Sequence, residues 1–194
     1  MAKKDTGTEQ LIKDTAKHIF FAEGKLHATT QDIADAAGVN RTLLNYYFRS
    51  RDVLFEQVVT EARAEMSAII DNAFAAQLPF KEKLEKLITV FLDQAIKFPY
   101  REMYIVSEFN RSENCVQEAK KSKIKLFLNE VNAEMENGKI KKMDPRQFCM
   151  NLFALMAYPL IMSCLNKSIY NINDEEYLEL MSERKQLIFN MIYQ

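Results

Sequence analysis

The amino-acid sequence predicts an all-α fold of about nine helices. Its 194 residues include only four glycines and four prolines, so few positions interrupt regular structure. Apolar residues make up 48 % of the chain, which is enough to form a packed core. They recur at steps of three and four residues along most of the sequence, and no segment of six residues alternates as a strand would.

Three short helices and one long helix are predicted in the N-terminal part. Gly24 follows the first apolar repeat, at a position where a helix C-terminus favours a left-handed residue. Thr29, Asn40 and Ser50 each precede a further repeat, and their side chains suit N-caps. The predicted spans are 9–23, 30–37, 41–47 and 51–74.

Five helices are predicted in the remainder of the chain. Pro99 and Gly138 end two of them, and Asp144 followed by Pro145 has the pattern of an N-cap with proline at the first helical position. Pro159 lies inside the most apolar of these helices and is expected to kink it, because proline removes a backbone hydrogen bond. The predicted spans are 80–97, 100–109, 114–136, 146–165 and 174–193.

Residues 29–51 have the spacing of a helix-turn-helix. Two short helices are joined by a three-residue turn, 38–40, in which Gly38 tolerates the backbone angles. Leu44 and Phe48 are four residues apart in the second helix and are expected to face the core. The opposite side carries Arg, Thr, Asn and Tyr side chains, which suit base edges in a DNA major groove. The pattern therefore predicts DNA binding.

The second short helix and its flanks supply the candidate DNA contacts. Exposed polar side chains are usually just solvated, so a solvated surface is the alternative for each of them. The predicted base-reading residues are Arg41, Thr42, Leu43, Asn45 and Tyr46. The residues predicted to hold DNA phosphates are Thr29, Thr30, Tyr47 and Arg51.

The charge pattern places the attraction to DNA locally. The chain has a formal net charge of −1, and residues 1–60 hold eight basic and eight acidic side chains. Residues 41–51, by contrast, include three arginines and no acidic residue. This segment is therefore the expected source of attraction to phosphate.

The same stretch resembles the TetR family of bacterial regulators over the N-terminal quarter of the chain. It departs from the family pattern at Asn40, where Ser is usual, and at Arg51, where Lys is usual. Thr42 and Leu43 stand where Gly-Thr is common, and Asn45 stands where Tyr is common. These departures alter the surface expected to read bases, so the operator sequence is not carried over. The matching residues are Ala16, Phe20, Gly24, Thr30, Ile33, Ala34, Ala37, Gly38, Val39, Leu44, Tyr47, Phe48, Ser50 and Leu54.

The resemblance implies a DNA-binding domain at 1–52, joined by a long helix to a helical ligand-binding and dimerisation domain at 53–194. It implies a homodimeric regulator, a repressor released from a near-palindromic operator by a small-molecule effector. An apolar or amphipathic effector is expected, because the C-terminal helices are rich in apolar side chains. In such a dimer, two recognition helices about 34–36 Å apart enter successive major grooves.

The C-terminal helices hold candidates for an effector pocket and a dimer interface. Plain core packing is the alternative for each pocket residue, and burial inside the monomer is the alternative for each interface residue. The pocket candidates are Phe91, Gln94, Phe98, Tyr104, Ser107, Phe127, Asn151, Met156 and Tyr158. The interface candidates are Phe148, Leu152, Leu155, Leu180, Leu187, Ile188 and Met191.

Other classes of protein have less support in the sequence. The three cysteines are far apart and the N-terminus lacks an apolar signal segment, so a reducing, cytoplasmic environment is expected. Catalytic motifs and metal-ligand spacings are absent from the sequence, so no enzyme activity, cofactor or metal is expected. The alternative function is a helical small-molecule carrier or protein-interaction module that does not bind DNA.

Overall fold

The computed structural model describes residues 6–109 and 118–194, and the chain is helical across most of both ranges. The predicted all-α class is confirmed, with ten helices in these ranges and no strand. The predicted span 114–136 begins outside the described residues. The helices are α1 (Thr6–Phe21), α2 (Thr30–Ala36), α3 (Arg41–Phe48), α4 (Arg51–Ala75), α5 (Phe80–Lys97), α6 (Arg101–Phe109), α7 (Glu118–Glu136), α8 (Pro145–Ile161), α9 (Ser163–Tyr170) and α10 (Asp174–Ile192).

Two clusters of buried apolar side chains form the core. The N-terminal cluster joins α1, α2, α3 and the first half of α4, with Phe20 and Leu44 fully buried in it. The C-terminal cluster joins the second half of α4 to α5, α7, α8 and α10, with Leu87 and Leu152 fully buried in it. Within the C-terminal cluster, α5 packs against both α4 and α10.

The 25-residue helix α4 contributes to both clusters. Val58 and Ala62 pack in the N-terminal cluster, whereas Met66 and Ala73 pack in the C-terminal cluster. Because α4 packs in both clusters, the packing does not mark a boundary within it. The division of the chain after residue 52 therefore remains a prediction.

The turn between α5 and α6 docks on the N-terminal helices. Phe98 is buried in the N-terminal cluster, and the Tyr100 amide donates a hydrogen bond to the Phe21 carbonyl at 3.1 Å. The Tyr100 ring also lies against Gly24, where an added Cβ would come within 2.8 Å of the ring. Gly24 has a φ of +72°, so both the space and the backbone require glycine here.

The predicted single helix 146–165 is in fact two helices, α8 and α9, which meet at an angle of 72°. Met162 separates them and has non-helical backbone angles. Pro159 stands one turn before the break and has no N–H to donate to the Leu155 carbonyl. The sequence predicted the kink, but the chain bends enough there to start a new helix.

Side chains of α10 bind the carbonyl groups that the break leaves without helical partners. The Arg184 Nε donates to the Leu155 oxygen at 2.9 Å, and the Tyr177 hydroxyl donates to the Pro159 oxygen. Buried carbonyl groups need such partners, so α10 stabilises the bend between α8 and α9.

Among the described helices, none is long and apolar enough to cross a membrane alone. Only α8 and α9 taken together pass that test, by length and composition, and they are bent apart.

Candidate nucleic-acid interface

Helices α2 and α3 form the predicted helix-turn-helix. The turn is closed by the Val39 amide, which donates to the Ala34 carbonyl at 3.0 Å. Gly38 has a φ of +66°, and an added Cβ would meet no atom within 4 Å. Glycine is therefore favoured in this turn by its backbone angle rather than by lack of space.

Side-chain caps fix the start of both helices. The Thr29 hydroxyl accepts from the Asp32 amide, and the Asp32 carboxylate accepts from the Thr29 amide, which completes a capping box on α2. The hydrogen bonds from the Thr29 amide and hydroxyl hold the pKa of Asp32 below its ordinary value. On α3, the Asn40 side-chain oxygen accepts from the Leu43 amide at 2.8 Å.

Helix α3 buries one side and exposes the other, as the spacing predicts. Leu44 is 0 % exposed and Phe48 is 1 % exposed, both in the N-terminal cluster. The opposite side is polar and exposed, whereas Leu43, between the two sides, is partly buried. We call this exposed side the polar face of α3, formed by Arg41, Thr42, Asn45 and Tyr46.

The comparisons with known proteins agree with this arrangement. The profile described as "Bacterial regulatory proteins, tetR family" matches residues 12–58, from α1 to the first part of α4. A TetR transcriptional regulator from Legionella pneumophila shares the fold with a TM-score of 0.58 and 19 % identity, over 99 % of this chain and 100 % of that chain. A TetR family transcription regulator from Marinobacter aquaeolei VT8 gives a TM-score of 0.56 and 16 % identity over the whole of both chains.

Residues 12–58 of this chain thus match the DNA-binding region of the TetR family of bacterial regulators. The chain is 23 % identical over 146 residues to YhgD, an uncharacterized HTH-type transcriptional regulator of Bacillus subtilis (strain 168), covering 71 % of this chain and 74 % of that protein. The fatty acid degradation regulator FadR from Bacillus halodurans is similar in fold, with a TM-score of 0.58 and 19 % identity over 96 % and 97 % of the two chains. The matched region and this relative thus indicate a transcriptional regulator whose DNA-binding helix-turn-helix resembles that of the TetR family.

The residues predicted to hold phosphates lie in different environments. Thr29 is exposed, but its hydroxyl is engaged with Asp32 in the capping box, and Thr30 is partly buried. Tyr47 is only 9 % exposed, with its ring 5.4 Å from that of Tyr46. Thr29, Thr30 and Tyr47 remain predicted phosphate contacts, and the Tyr47 ring packs against that of its exposed neighbour.

Arg51 requires a correction, because its guanidinium is bonded inside the protein. Its Nε donates to the Ala28 carbonyl at 3.3 Å, and its Nη2 donates to the Leu26 carbonyl. The guanidinium also stacks 4.7 Å from the centre of the Phe55 ring and 5.4 Å from that of Phe20. Arg51 therefore ties the loop between α1 and α2 to α4 through Nε and Nη2, and its Nη1 pairs with the Asp52 carboxylate at 3.3 Å.

Arg49 is a phosphate candidate that the sequence reasoning passed over. It is exposed at the C-terminus of α3, with a φ of +60°, and forms no ion pair with the residues that the structure describes. Its side chain therefore stands beside the polar face of α3 with its charge available. The signal in the sequence is the arginine-rich segment 41–51, from which only Arg51 is among the predicted phosphate contacts.

The predicted effector-pocket residues that are apolar belong to both clusters in the described part of the structure. Phe91, Phe127 and Met156 pack in the C-terminal cluster, whereas Phe98 is buried in the N-terminal cluster and Tyr104 packs against it. The helical spacing of apolar residues does not indicate which of the two clusters each residue joins. For this reason the predicted set includes members of both clusters.

The polar pocket candidates and Tyr158 also lie apart. Gln94 is partly buried, and Asn151 and Tyr158 are exposed. The side chain of Ser107 lies outside the described part of the structure. The role of these candidates in effector binding therefore stays a prediction.

The predicted dimer-interface residues divide into two groups. Phe148, Leu152 and Ile188 are at most 2 % exposed, because they face the C-terminal cluster, and are corrected to the core of the protomer. Leu155 is partly buried. The remaining three, which lie on α10 and are 48–65 % exposed, are Leu180, Leu187 and Met191.

Helix α8 also has exposed apolar side chains that are not among the predicted dimer-interface residues. Met150 is 56 % exposed and Tyr158 is 55 % exposed. Tyr158 also lines a groove together with Tyr170 of α9 and with Leu180 and Leu187 of α10. Large exposed apolar side chains are thus common to α8, α9 and α10.

Proposed function

We propose that this protein is a dimeric, TetR-family repressor of transcription that a small-molecule effector releases from a near-palindromic operator. One observation carries the DNA-reading part of the proposal. The polar face of α3 projects from a helix whose other side, Leu44 and Phe48, is locked in the N-terminal cluster. A rigid helix with Arg, Thr, Asn and Tyr on one side can present these groups to base edges in the major groove.

The roles of the individual side chains follow from their chemistry. Arg41 and Asn45 suit the bidentate recognition of guanine and adenine, respectively. Thr42 and Tyr46 offer hydroxyl groups, and the partly buried Leu43 offers an apolar contact to a thymine methyl group. Arg49, together with Thr29 and Thr30, positions the helix on the phosphate backbone without reading sequence.

Binding-site selection with the purified protein tests the base-reading role. We expect the Asn45→Ala variant to lose preference at one base position in each half-site, with about 1–3 kcal/mol less discrimination there. Thr60→Ala, an exposed position on α4 away from α3, is the matched control and should select the parental sequence. Identical consensus sequences from Asn45→Ala and the parent protein would show that Asn45 does not read a base.

The exposed apolar side chains of α8 and α10 support dimerisation through these helices. Exposed apolar patches on soluble proteins commonly mark interfaces. We expect Leu187→Lys to shift the protein from dimer to monomer in light scattering after gel filtration, and to weaken binding to the two-half-site operator. Leu126→Lys, at an exposed apolar position on α7, is the control. A dimer that withstands Leu187→Lys would place the interface elsewhere.

Transcription in vitro distinguishes a repressor from an activator. The selected operator is placed across a promoter, and transcripts are counted with and without the protein. A repressor lowers the transcript yield as the protein concentration rises, and Asn45→Ala lowers it less. An increase in transcripts would contradict repression while leaving the DNA-binding role in place.

A further inference from the structure

A cavity of about 280 Å³ lies between the N-terminal helices and the C-terminal helices. Its walls come from the residue after α1, the end of α5, the α5–α6 turn, and α8, α9 and α10. None of the residues predicted from the sequence as pocket residues lines it. The volume is just below the range of about 300–1,000 Å³ that is typical of ligand clefts, so it fits a compact molecule.

The bend between α8 and α9 explains why this space is open. Leu160, one residue before the end of α8, lines the cavity, and α9 turns away by 72°. Tyr177, another lining residue, holds the Pro159 carbonyl at the bend through its hydroxyl. A hydrogen bond from one of the cavity's own lining residues therefore stabilises the bend that opens the cavity.

The chemistry of the lining is amphipathic. Ala95, Leu160 and Met181 form an apolar floor and are at most 5 % exposed. Lys97 and Lys167 lie at the rim, and Lys167 pairs with Asp174 at 2.5 Å. Two lysines and one carboxylate leave an excess of one positive charge, which favours an occupant with an acidic group.

The walls of the cavity connect the two parts of the protein. On one side lie Ala22, just after α1, and Tyr100, whose amide is bonded to the Phe21 carbonyl and whose ring packs on Gly24. On the other side lies α10, which carries the exposed apolar residues assigned above to the dimer interface. A molecule that fills the space touches both sides at once.

We propose that this cavity is the effector site and takes a compact acidic amphipath, with its apolar body on the floor and its acidic group at the lysine rim. Occupation shifts the Tyr100 wall against α1 and so changes the affinity of the helix-turn-helix for DNA. The coupling to DNA rests on the proposed function, whereas the binding itself does not.

Titration calorimetry tests the binding with two matched probes, 2-naphthoate and its neutral counterpart 2-naphthylmethanol. The parent protein should bind the acid about tenfold more tightly than the alcohol, and Lys97→Met should reduce this preference. Ser163→Trp, which fills the cavity from its lining, should abolish binding of both probes. Ser168→Trp, at an exposed position on the same helix, is the matched control and should bind like the parent.

Three results of the calorimetry would overturn the site or its ligand class. Parental affinity in Ser163→Trp, with a folded protein by circular dichroism, would place the binding elsewhere. Equal affinity for acid and alcohol would refute the acidic class. Absence of binding by both probes to the parent at millimolar concentration would refute the site.

Operator binding, measured by fluorescence anisotropy with and without 2-naphthoate, tests the coupling separately. We expect saturating probe to weaken operator binding by about 5-fold to 150-fold in the parent but not in Ser163→Trp. Unchanged operator affinity at saturation would refute the coupling while the calorimetry upholds the site. A protein that binds no DNA even without probe would refute the proposed function and leave the calorimetric result standing.

Discussion

The helix-turn-helix and the α8–α10 region complete their backbone hydrogen bonds in different ways. In the N-terminal part, Asn40 and Ser50 cap the helices that follow them, each through an amide three residues ahead. In the C-terminal part, the carbonyls at the bend depend on Arg184 and Tyr177, which lie 29 and 18 residues further along the chain. Local caps are visible in a sequence, whereas partners supplied by another helix are not.

The same contrast applies to the surfaces that the two regions offer. The N-terminal part presents polar groups from one helix, so their order follows from helical spacing alone. The cavity between the N-terminal and C-terminal helices is lined by six parts of the chain, and its shape exists only after the helices have packed. We therefore expect substitutions in the N-terminal part to act on the local structure of α3. Substitutions around the cavity should instead act on the packing of the helices that line it.

The largest effect is expected at Leu44, which anchors α3 beneath its polar face. Leu44→Ala should lower the free energy of unfolding by about 2–5 kcal/mol, because it opens a hole in the N-terminal cluster. Thr42→Ala, on the exposed side of the same helix, should change it by less than about 0.5 kcal/mol. Urea unfolding followed by circular dichroism measures both. Equal losses would mean that α3 is not anchored through one side.

Tyr177→Phe tests whether α10 stabilises the bend between α8 and α9. The change removes one hydroxyl and leaves the Pro159 carbonyl without its partner, so we expect a loss of about 1–3 kcal/mol in unfolding free energy. Tyr158→Phe, in which the hydroxyl is lost from a side chain that is 55 % exposed, is the control and should be near neutral. If both variants unfold at the same urea concentration, the bend does not depend on α10.

Arg51→Met separates structural from DNA-binding arginines in the N-terminal part. Its hydrogen bonds to the Leu26 and Ala28 carbonyls are lost, and we expect about 1–2 kcal/mol of destabilisation for a side chain that is 27 % exposed. Arg49→Gln should leave stability unchanged and reduce the slope of log affinity against log salt by about one. Anisotropy titrations at several salt concentrations decide between the two roles. The assignments are reversed if Arg51→Met lowers the slope and Arg49→Gln lowers the stability.

The smallest effect concerns thiol reactivity within the C-terminal part, with no change in stability. Burial raises the pKa of Cys149 on α8 to about 11, whereas Cys164 on α9 is exposed. At pH 8 very little of the Cys149 thiol is ionised, so iodoacetamide should modify Cys164 at least about tenfold faster. Mass spectrometry of the Cys115→Ser variant follows the two sites. Similar rates would show that α8 opens readily to solvent.

Much of the fold is readable because its signals are local. The span of α5 was predicted as 80–97, since its apolar repeat is regular and Pro99 ends it. The break at Met162 was not predicted, because Pro159 indicates a kink but does not reveal which groups satisfy the freed carbonyls. Those groups lie on α10, and only packing brings them there.

The candidate sites show the same limit. The polar face of α3 could be read from the spacing around Leu44 and Phe48, because a short helix has one buried side. The position of Arg51 in the family pattern gave no sign of its bonds to the α1–α2 loop, which lies more than twenty residues earlier in the chain. Likewise, nothing in the helical pattern around Phe98 indicates that it packs among the N-terminal helices.

Because α4 contributes to both apolar clusters, it limits where this protein can be joined to a relative in a chimeric regulator. A graft that exchanged residues 1–52 with those of a relative would cut the N-terminal cluster, leaving Val58 and Ala62 beneath foreign side chains. A junction after Ala62 would carry these contacts along, but the new head would still have to accept Phe98 and Tyr100 from the recipient. Exchangeable heads for this protein therefore have to match it at the α5–α6 turn, whatever operator they recognise.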